Sequence, residues 1–122
     1  MTERDDERLM RGWSTAMSGN FSVLNDICAP ECEIWHSSDN RWILQRDAMD
    51  AFIAAHDAGR IPPFEEVRIM PTAKGFLCQA SMTMQPIGRI HLIQLLATEG
   101  GRIVRVEEYI SPEMDLATPL AA

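Results

Sequence analysis

GRIHLIQLLATEGGRIVRVEEYI, residues 88–110, decides how this chain folds. Two β-favouring runs, Arg89–Ala97 and Arg102–Ile110, flank Glu99-Gly100-Gly101. Glycine reaches positive φ without steric cost, so the middle triplet reads as a hairpin turn. Side chains alternate faces along a strand, which gives the hairpin two readable surfaces. One carries His91, Ile93, Leu95, Val104, Val106, Glu108 and Ile110. The other carries Ile90, Leu92, Gln94, Leu96, Ile103, Arg105, Glu107 and Tyr109. The first is apolar except for His91 and Glu108, and is the expected inner face. With Glu99 and Gly100 as turn residues, His91 lies opposite Glu108. A buried carboxylate needs a partner, and a cross-strand imidazole is one. The pair therefore marks a site as well as a core.

Outward from the hairpin, the chain reads as helices followed by strands. Residues 3–18 form a helix with Thr2 as cap and Leu9, Met10, Trp13, Ala16 and Met17 as its apolar stripe. Residues 21–28 form a shorter one, with Asn20 as cap and Phe21, Leu24 and Ile27 facing in. Glu31–His36 is a strand, Ser37–Asn40 a polar turn, and Ile43–Leu44 a short edge strand. Asp47 caps a third helix that ends near His56 or Ala58, before Gly59 and Pro62-Pro63. Phe64–Met70 and Phe76–Met84 are strands, and pairing Met84 with Arg89 puts Met82, Ala80 and Cys78 on the His91 face. The fold class is α+β: a cone of three helices packed in a strongly curved antiparallel sheet, a single domain over residues 1–122 with its core at about 7–115.

Bulk properties narrow the partners. A formal charge of −7 and a single lysine, Lys74, oppose a nucleic-acid or anionic-membrane surface. No apolar run approaches the ~20 residues that a membrane span requires. The first ten residues, MTERDDERLM, hold no signal-peptide core, so a cytoplasmic location is the expectation. Cys28, Cys32 and Cys78 read as free thiols. Cys28, Cys32 and His36 make a poor metal set, because a helix end running into a strand does not converge them and a fourth ligand is missing. No metal and no cofactor are expected.

The succession of elements resembles the nuclear transport factor 2-like superfamily, in its ketosteroid-isomerase and SnoaL-like polyketide-cyclase branch. The resemblance rests on Met17-Ser-Gly-Asn-Phe at the first helix break and on LNDICAPECEIWH from Leu24 to His36. It also rests on Arg46-Asp-Ala-Met-Asp-Ala-Phe opening the third helix, and on Gly101-Arg-Ile with Glu108-Tyr-Ile-Ser-Pro near the end. It implies a cone-shaped cavity, a homodimer through the outer sheet face, and acid–base chemistry. His36 matches the place of the ketosteroid-isomerase base. Gly12 and Ile93 stand where those enzymes have their oxyanion tyrosine and protonated aspartate, so that mechanism is not reproduced. Glu108 matches the last-strand aspartate of limonene-epoxide-hydrolase-like members, whose companion Arg and Asp fall near Cys78 and Ala80. Scytalone-dehydratase-like members use histidines in the same cone, as His36 and His91 would here.

The expected site is therefore His36, His91 and Glu108, with His36 abstracting a proton and His91, polarised by Glu108, serving the developing oxygen charge. Trp13, Met17, Phe52, Met82, Ile93, Val106 and Ile110 would line an apolar pocket, with Asp39 at its mouth. The expected function is a cofactor-free isomerase, dehydratase or cyclase acting on a small hydrophobic carbonyl or polycyclic substrate. The alternative is a non-catalytic module that binds a small ligand or serves assembly.

Overall fold

A computed structural model describes residues 4–115. The chain forms α1 (Asp5–Met17), a 3-10 turn (Phe21–Val23), α2 (Leu24–Ile27), β1 (Cys28–His36), β2 (Arg41–Leu44) and α3 (Gln45–Asp57). Four strands complete it: β3 (Glu65–Thr72), β4 (Gly75–Met84), β5 (Gly88–Glu99) and β6 (Arg102–Pro112). The strands make one curved, unclosed sheet in the order β2-β1-β6-β5-β4-β3. The α+β class holds. The all-antiparallel expectation does not: β1 runs parallel to β6, beside which a long excursion through α3 and four strands returns the chain.

Helix α1 forms where the stripe predicts, and Leu9, Trp13, Ala16 and Met17 are its buried residues. Asp5, Asp6 and Glu7 occupy the first turn, where negative charge meets the positive helix end. Its N-cap is Arg4; the expected cap, Thr2, lies outside the described residues. The second helix is split into a 3-10 turn and four α-helical residues, yet Phe21, Leu24 and Ile27 are buried as their spacing predicts. Helix α3 begins at Gln45, ahead of the expected Asp47 cap, with extended Leu44 as its N-cap. That earlier start turns Gln45 inward.

The β5–β6 hairpin differs from its expected register. Gly100 and Gly101, at φ 60° and 75°, are the turn residues, and Glu99 pairs with Arg102. This turn alone moves the register by two residues and preserves which residues share a face. A bulge then changes the phase: Thr98 pairs with Ile103, but Ala97 pairs with Arg105. One extra residue on β6, Val104, reverses the facing of everything beyond it relative to β5. Gln94 thus pairs with Glu108, and His91 with Ser111. The β4–β5 register is also one residue from expectation, with Met84 opposite Gly88 and Cys78 opposite Gln94. The inner face of β5 is Ile90, Leu92, Gln94 and Leu96, each no more than 9% exposed.

The main core lies between α1 and the middle of the sheet. Trp13 meets Phe76 edge to face at 6.3 Å between ring centroids, with Leu9, Cys32, Cys78, Leu96, Ile103 and Val106 around them. Phe21, Phe52 and Phe64 form a second aromatic group, in which Phe21 meets Phe52 edge to face at 4.7 Å. The space between these two groups is where the site lies. Among the described residues, no helix is long and apolar enough to cross a membrane.

Candidate active site

His36 is the last residue of β1, and parallel pairing sets it against Glu108 of β6. The chain just beyond is fastened to the same strand. The Ser37 N–H donates to the Glu108 carbonyl at 2.9 Å, and the Ile110 N–H donates to the Ser37 hydroxyl at 2.9 Å. These backbone bonds fix the two side chains relative to each other: His36 Nε2 lies 3.7 Å from Glu108 Oε1. The side chains are 24% and 13% exposed, so the pair sits at the rim of the interior.

The other carboxylate oxygen is held from inside. Gln94 Nε2 donates to Glu108 Oε2 at 2.6 Å, and the Trp13 indole N–H donates to Gln94 Oε1 at 2.9 Å. A relay thus runs from α1 through β5 to β6 and ends at His36. Trp13 is 1% exposed and Gln94 4%, so each polar atom of the relay replaces lost water with a protein partner. The charge of Glu108 reaches the floor of the site. Burial pushes the Cys78 thiol up to about 11, with a bond from Trp13 opposing and the Glu108 charge reinforcing the rise.

These groups border a cavity of about 80 Å³. Its walls are mainly apolar, from Met17, Ile34, Met49, Phe52 and Phe64, with Trp13 beside Gln94 at the base. Gln45, at the start of α3, adds an amide to the wall. His36 and Glu108 are brought together, and Trp13, Met17 and Phe52 line the cavity.

The remaining expected residues lie elsewhere. His91 is on the outer sheet face, with Nε2 2.8 Å from Glu113 Oε2 and its side chain 45% exposed. Ile93 is beside it, 41% exposed. The β6 bulge is the physical reason: Glu108 is turned inward while the odd-numbered residues of β5 stay out. Asp39 is exposed and accepts the Arg41 backbone N–H at 3.2 Å, a turn-closing bond. Met82 and Val106 are buried but off the cavity wall, and Ile110 is half-buried further along β6. Ile90, Leu92 and Leu96, expected on the outer face, are inside; Ile93 and Leu95 take their place outside, where Tyr109 is exposed as expected.

Sequence reasoning missed Gln94 and Gln45. For Gln94 the signal was the clean alternation of β4, where Phe76, Cys78, Ala80 and Met82 are all buried, carried across the correct β4–β5 register. Gln45 carried no comparable signal. The thiols are free, as expected. Cys32 is fully buried; a bond from Cys28 lowers its pKa, while Cys28 is raised by the same bond and by burial. No three His, Cys, Asp or Glu side chains converge as a metal site among the described residues.

No family model and no curated protein matches the chain. Solved structures do. An NTF-2 like protein of unknown function from Burkholderia xenovorans LB400 superposes with a TM-score of 0.71 at 18% identity, over 91% of this chain and 86% of its own. A steroid delta-isomerase from Pseudomonas aeruginosa gives 0.71 at 16% identity, over 98% and 97%. An LEH-like epoxide hydrolase from M. tuberculosis gives 0.65 at 15% identity, over 88% and 83%. Polyketide-cyclase structures stand among the neighbours as well. With helices packed on a curved six-stranded sheet of this order, the chain shares the fold of these NTF2-like structures.

Proposed function

We propose that this chain is a cofactor-free enzyme that moves a proton on a small, largely apolar carbonyl compound, in an isomerase, dehydratase or cyclase reaction. The observation that carries the reading is the His36–Glu108 pair, clamped from behind by Gln94 at the edge of an apolar cavity. The Glu108 charge 3.7 Å from Nε2 favours the imidazole proton on that side and leaves the Nδ1 lone pair as the base. That nitrogen takes a proton from the carbon next to the carbonyl, the electron pair moves onto the carbonyl oxygen, and Glu108 stabilises the imidazolium that forms. Return of the proton to a different carbon completes an isomerisation; departure of a β-hydroxyl as water, taking its proton from the His36 imidazolium while the electron pair returns from the carbonyl oxygen to form the double bond, completes a dehydration.

The steroid isomerase and the epoxide hydrolase among the neighbours support acid–base work on this fold. Cavity size favours the small end of the substrate range. Ligand pockets for drug-sized molecules run to about 300–1,000 Å³, against about 80 Å³ here. A polycyclic substrate would require α3 to move away from the sheet. The same small volume favours a second reading, a module that binds a small ligand without turning it over.

Proton exchange separates the two. The protein is incubated in D2O with small aliphatic and aromatic ketones, and loss of the α-proton signals is followed by NMR. An enzyme of the proposed kind exchanges them and loses that activity in His36→Ala and Glu108→Gln. A binding module shifts the His36 and Gln94 side-chain resonances without exchange. The reading also places the protein in the cytoplasm as a homodimer joined through the outer sheet face, on exposed Ile93, Leu95 and Tyr109. Sedimentation of Leu95→Glu against wild type tests the dimer.

A further inference from the structure

A second hollow, of about 60 Å³, lies where α2 and the starts of β1, α3 and β6 meet. The polar side chains on its wall all carry N–H donors: the guanidinium groups of Arg46 and Arg102 and the amides of Asn25 and Gln45. No described Asp or Glu lines it, although the chain carries 18 acids against 11 lysines and arginines. Elsewhere Arg8, Arg89 and Arg105 each lie within 4 Å of a carboxylate. Arg46 and Arg102 make no ion pair among the described residues. Arg102 has one polar contact, a long one, from Nη1 to the Cys28 carbonyl at 3.5 Å. It holds the guanidinium at the hollow and leaves the other N–H groups unused.

Gln45 is the buried part of this wall. It is 5% exposed, and neither end of its amide has a hydrogen-bond partner among the described residues. The oxygen is closed off, so the NH2 is the end with access. Gln45 also opens α3, a 13-residue helix with no side-chain bond at its cap. The first-turn N–H groups therefore add positive potential beside the two arginines. Asp47, the one acid of that turn, is exposed and does not line the hollow. We propose that the hollow binds a small oxyanion group, a carboxylate or a phosphate, held between Arg46 and Arg102. Guanidinium presents paired N–H donors that match the oxygens of such groups. The volume holds a few heavy atoms, which suits a charged group and excludes a ring system. An oxyanion there supplies the counter-charge of both arginines, gives the Gln45 NH2 an acceptor, and ties the start of α3 to the start of β6. Leu24, Gln45 and Met49 form the partition between this hollow and the cavity of His36, so the site does not rest on the acid–base reading.

Inorganic phosphate, acetate and phenyl phosphate are titrated into the intact protein at constant ionic strength, with chloride as the balancing salt. NMR follows the Nε–H signals of Arg46 and Arg102 and the side-chain amide of Gln45. Wild type is expected to show saturable shifts of these signals with phosphate or acetate. Tighter binding of phenyl phosphate than of phosphate assigns the site to the anionic end of a larger ligand; equal or weaker binding assigns it to the free ion. Arg46→Met and Arg102→Met are each expected to weaken binding about tenfold or more, the range of one hydrogen bond to a charged group. Both positions are exposed, so neither change opens the core. Arg60→Met, exposed and outside the hollow, is expected to bind as wild type does. Shifts that fail to saturate with either phosphate or acetate, or that chloride reproduces, overturn the proposal and need no variant. So does full affinity in either Arg46→Met or Arg102→Met. None of these readouts depends on turnover, so they stand or fall apart from the proton-exchange test of His36.

Discussion

Replacing Gln94 with leucine tests the relay on which the site is built. Leucine matches glutamine closely in volume, so the core stays filled. Two groups lose their partners. The Trp13 indole N–H, on a residue 1% exposed, loses its acceptor at 2.9 Å, has no route to water and keeps only the weakly accepting Cys78 sulfur. An orphaned buried donor costs about 1–3 kcal/mol. Glu108 loses a donor at 2.6 Å. A hydrogen bond to a charged group is worth about 1.5–3 kcal/mol, and the lower end applies because the cavity gives the carboxylate some solvent. The leucine returns about 1 kcal/mol through added apolar burial. The net loss is about 2–3 kcal/mol, which lowers the Tm of a domain this size by roughly 6–15 °C. Urea and thermal unfolding followed by circular dichroism measure it. The sharper test is a cycle with Trp13→Phe. That change removes the indole N–H, so in its presence Gln94→Leu no longer orphans it, and the two losses should sum to about 1–2 kcal/mol more than the double variant shows. A single-variant loss below about 0.5 kcal/mol, or additivity within about 0.3 kcal/mol, would refute the claim that Trp13, Gln94 and Glu108 act as one network.

Other expectations follow from the same geometry. His91→Ala should leave ketone proton exchange at the wild-type rate while His36→Ala abolishes it; a comparable loss in both would return His91 to the site. Gly75→Ala should cost about 2 kcal/mol or more, since its new Cβ would run into the Leu96 carbonyl and lie 3.1 Å from the Thr98 nitrogen; unchanged urea stability would show that β4 and β5 can spread there. Stability should also fall as pH rises from 9 toward 11. In that window Cys78 keeps its proton in the folded protein, at a pKa of about 11, while the unfolded thiol has lost it at its ordinary 9.0. The unfolded state then binds fewer protons, so alkali favours it, by about 2–3 kcal/mol at the top of the window. Cys78→Ala should flatten that decline, and an unaltered slope in the variant would remove Cys78 as its source.

The parts of the structure set by local pattern were legible in the sequence. The α1 stripe, the inward Phe21, Leu24 and Ile27, and the alternation of β4 each follow from periods of 3.6 or 2. His36 and Glu108 were found for different reasons, one from its strand end and family position, the other as a polar break in an apolar face. That they meet was not legible, because parallel pairing of β1 with β6 joins segments some seventy residues apart. Strand β5 defeated the reading of its faces. Residues 90–96 are apolar on both parities, each interrupted by one polar residue, Gln94 on one and His91 on the other. Alternation within β5 cannot choose between them; only its register against β4 does, and that turned on a single residue of the connecting turn. Gln45 was hidden because Asp47 looked like the better helix cap.

The bulge in β6 now reads as a requirement of the sequence. Carry a regular hairpin from the Gly100-Gly101 turn, and Ile103, Arg105, Glu107 and Tyr109 would face inward together. That face would place an arginine and a glutamate against Leu96 and Gln94, with Val106 wasted on solvent. Insert one residue after Ile103, and the inward set becomes Ile103, Val106, Glu108 and Ile110, of which Ile103 and Val106 are fully buried. The gain is Val106 kept in the core, about 1.5–3 kcal/mol, with Arg105 and Glu107 kept out of it, against one unpaired ladder position at Val104. Bulges commonly re-aim side chains beside active sites. Here the same phase change decides which of two adjacent glutamates enters the cavity. Glu107 stays on the outer face, 3.6 Å from Arg105. Glu108 turns in, where Gln94 holds one oxygen and His36 faces the other. The packing preference of Val106 and the placement of the carboxylate are therefore one choice, and a substitution that reversed the first would remove the second.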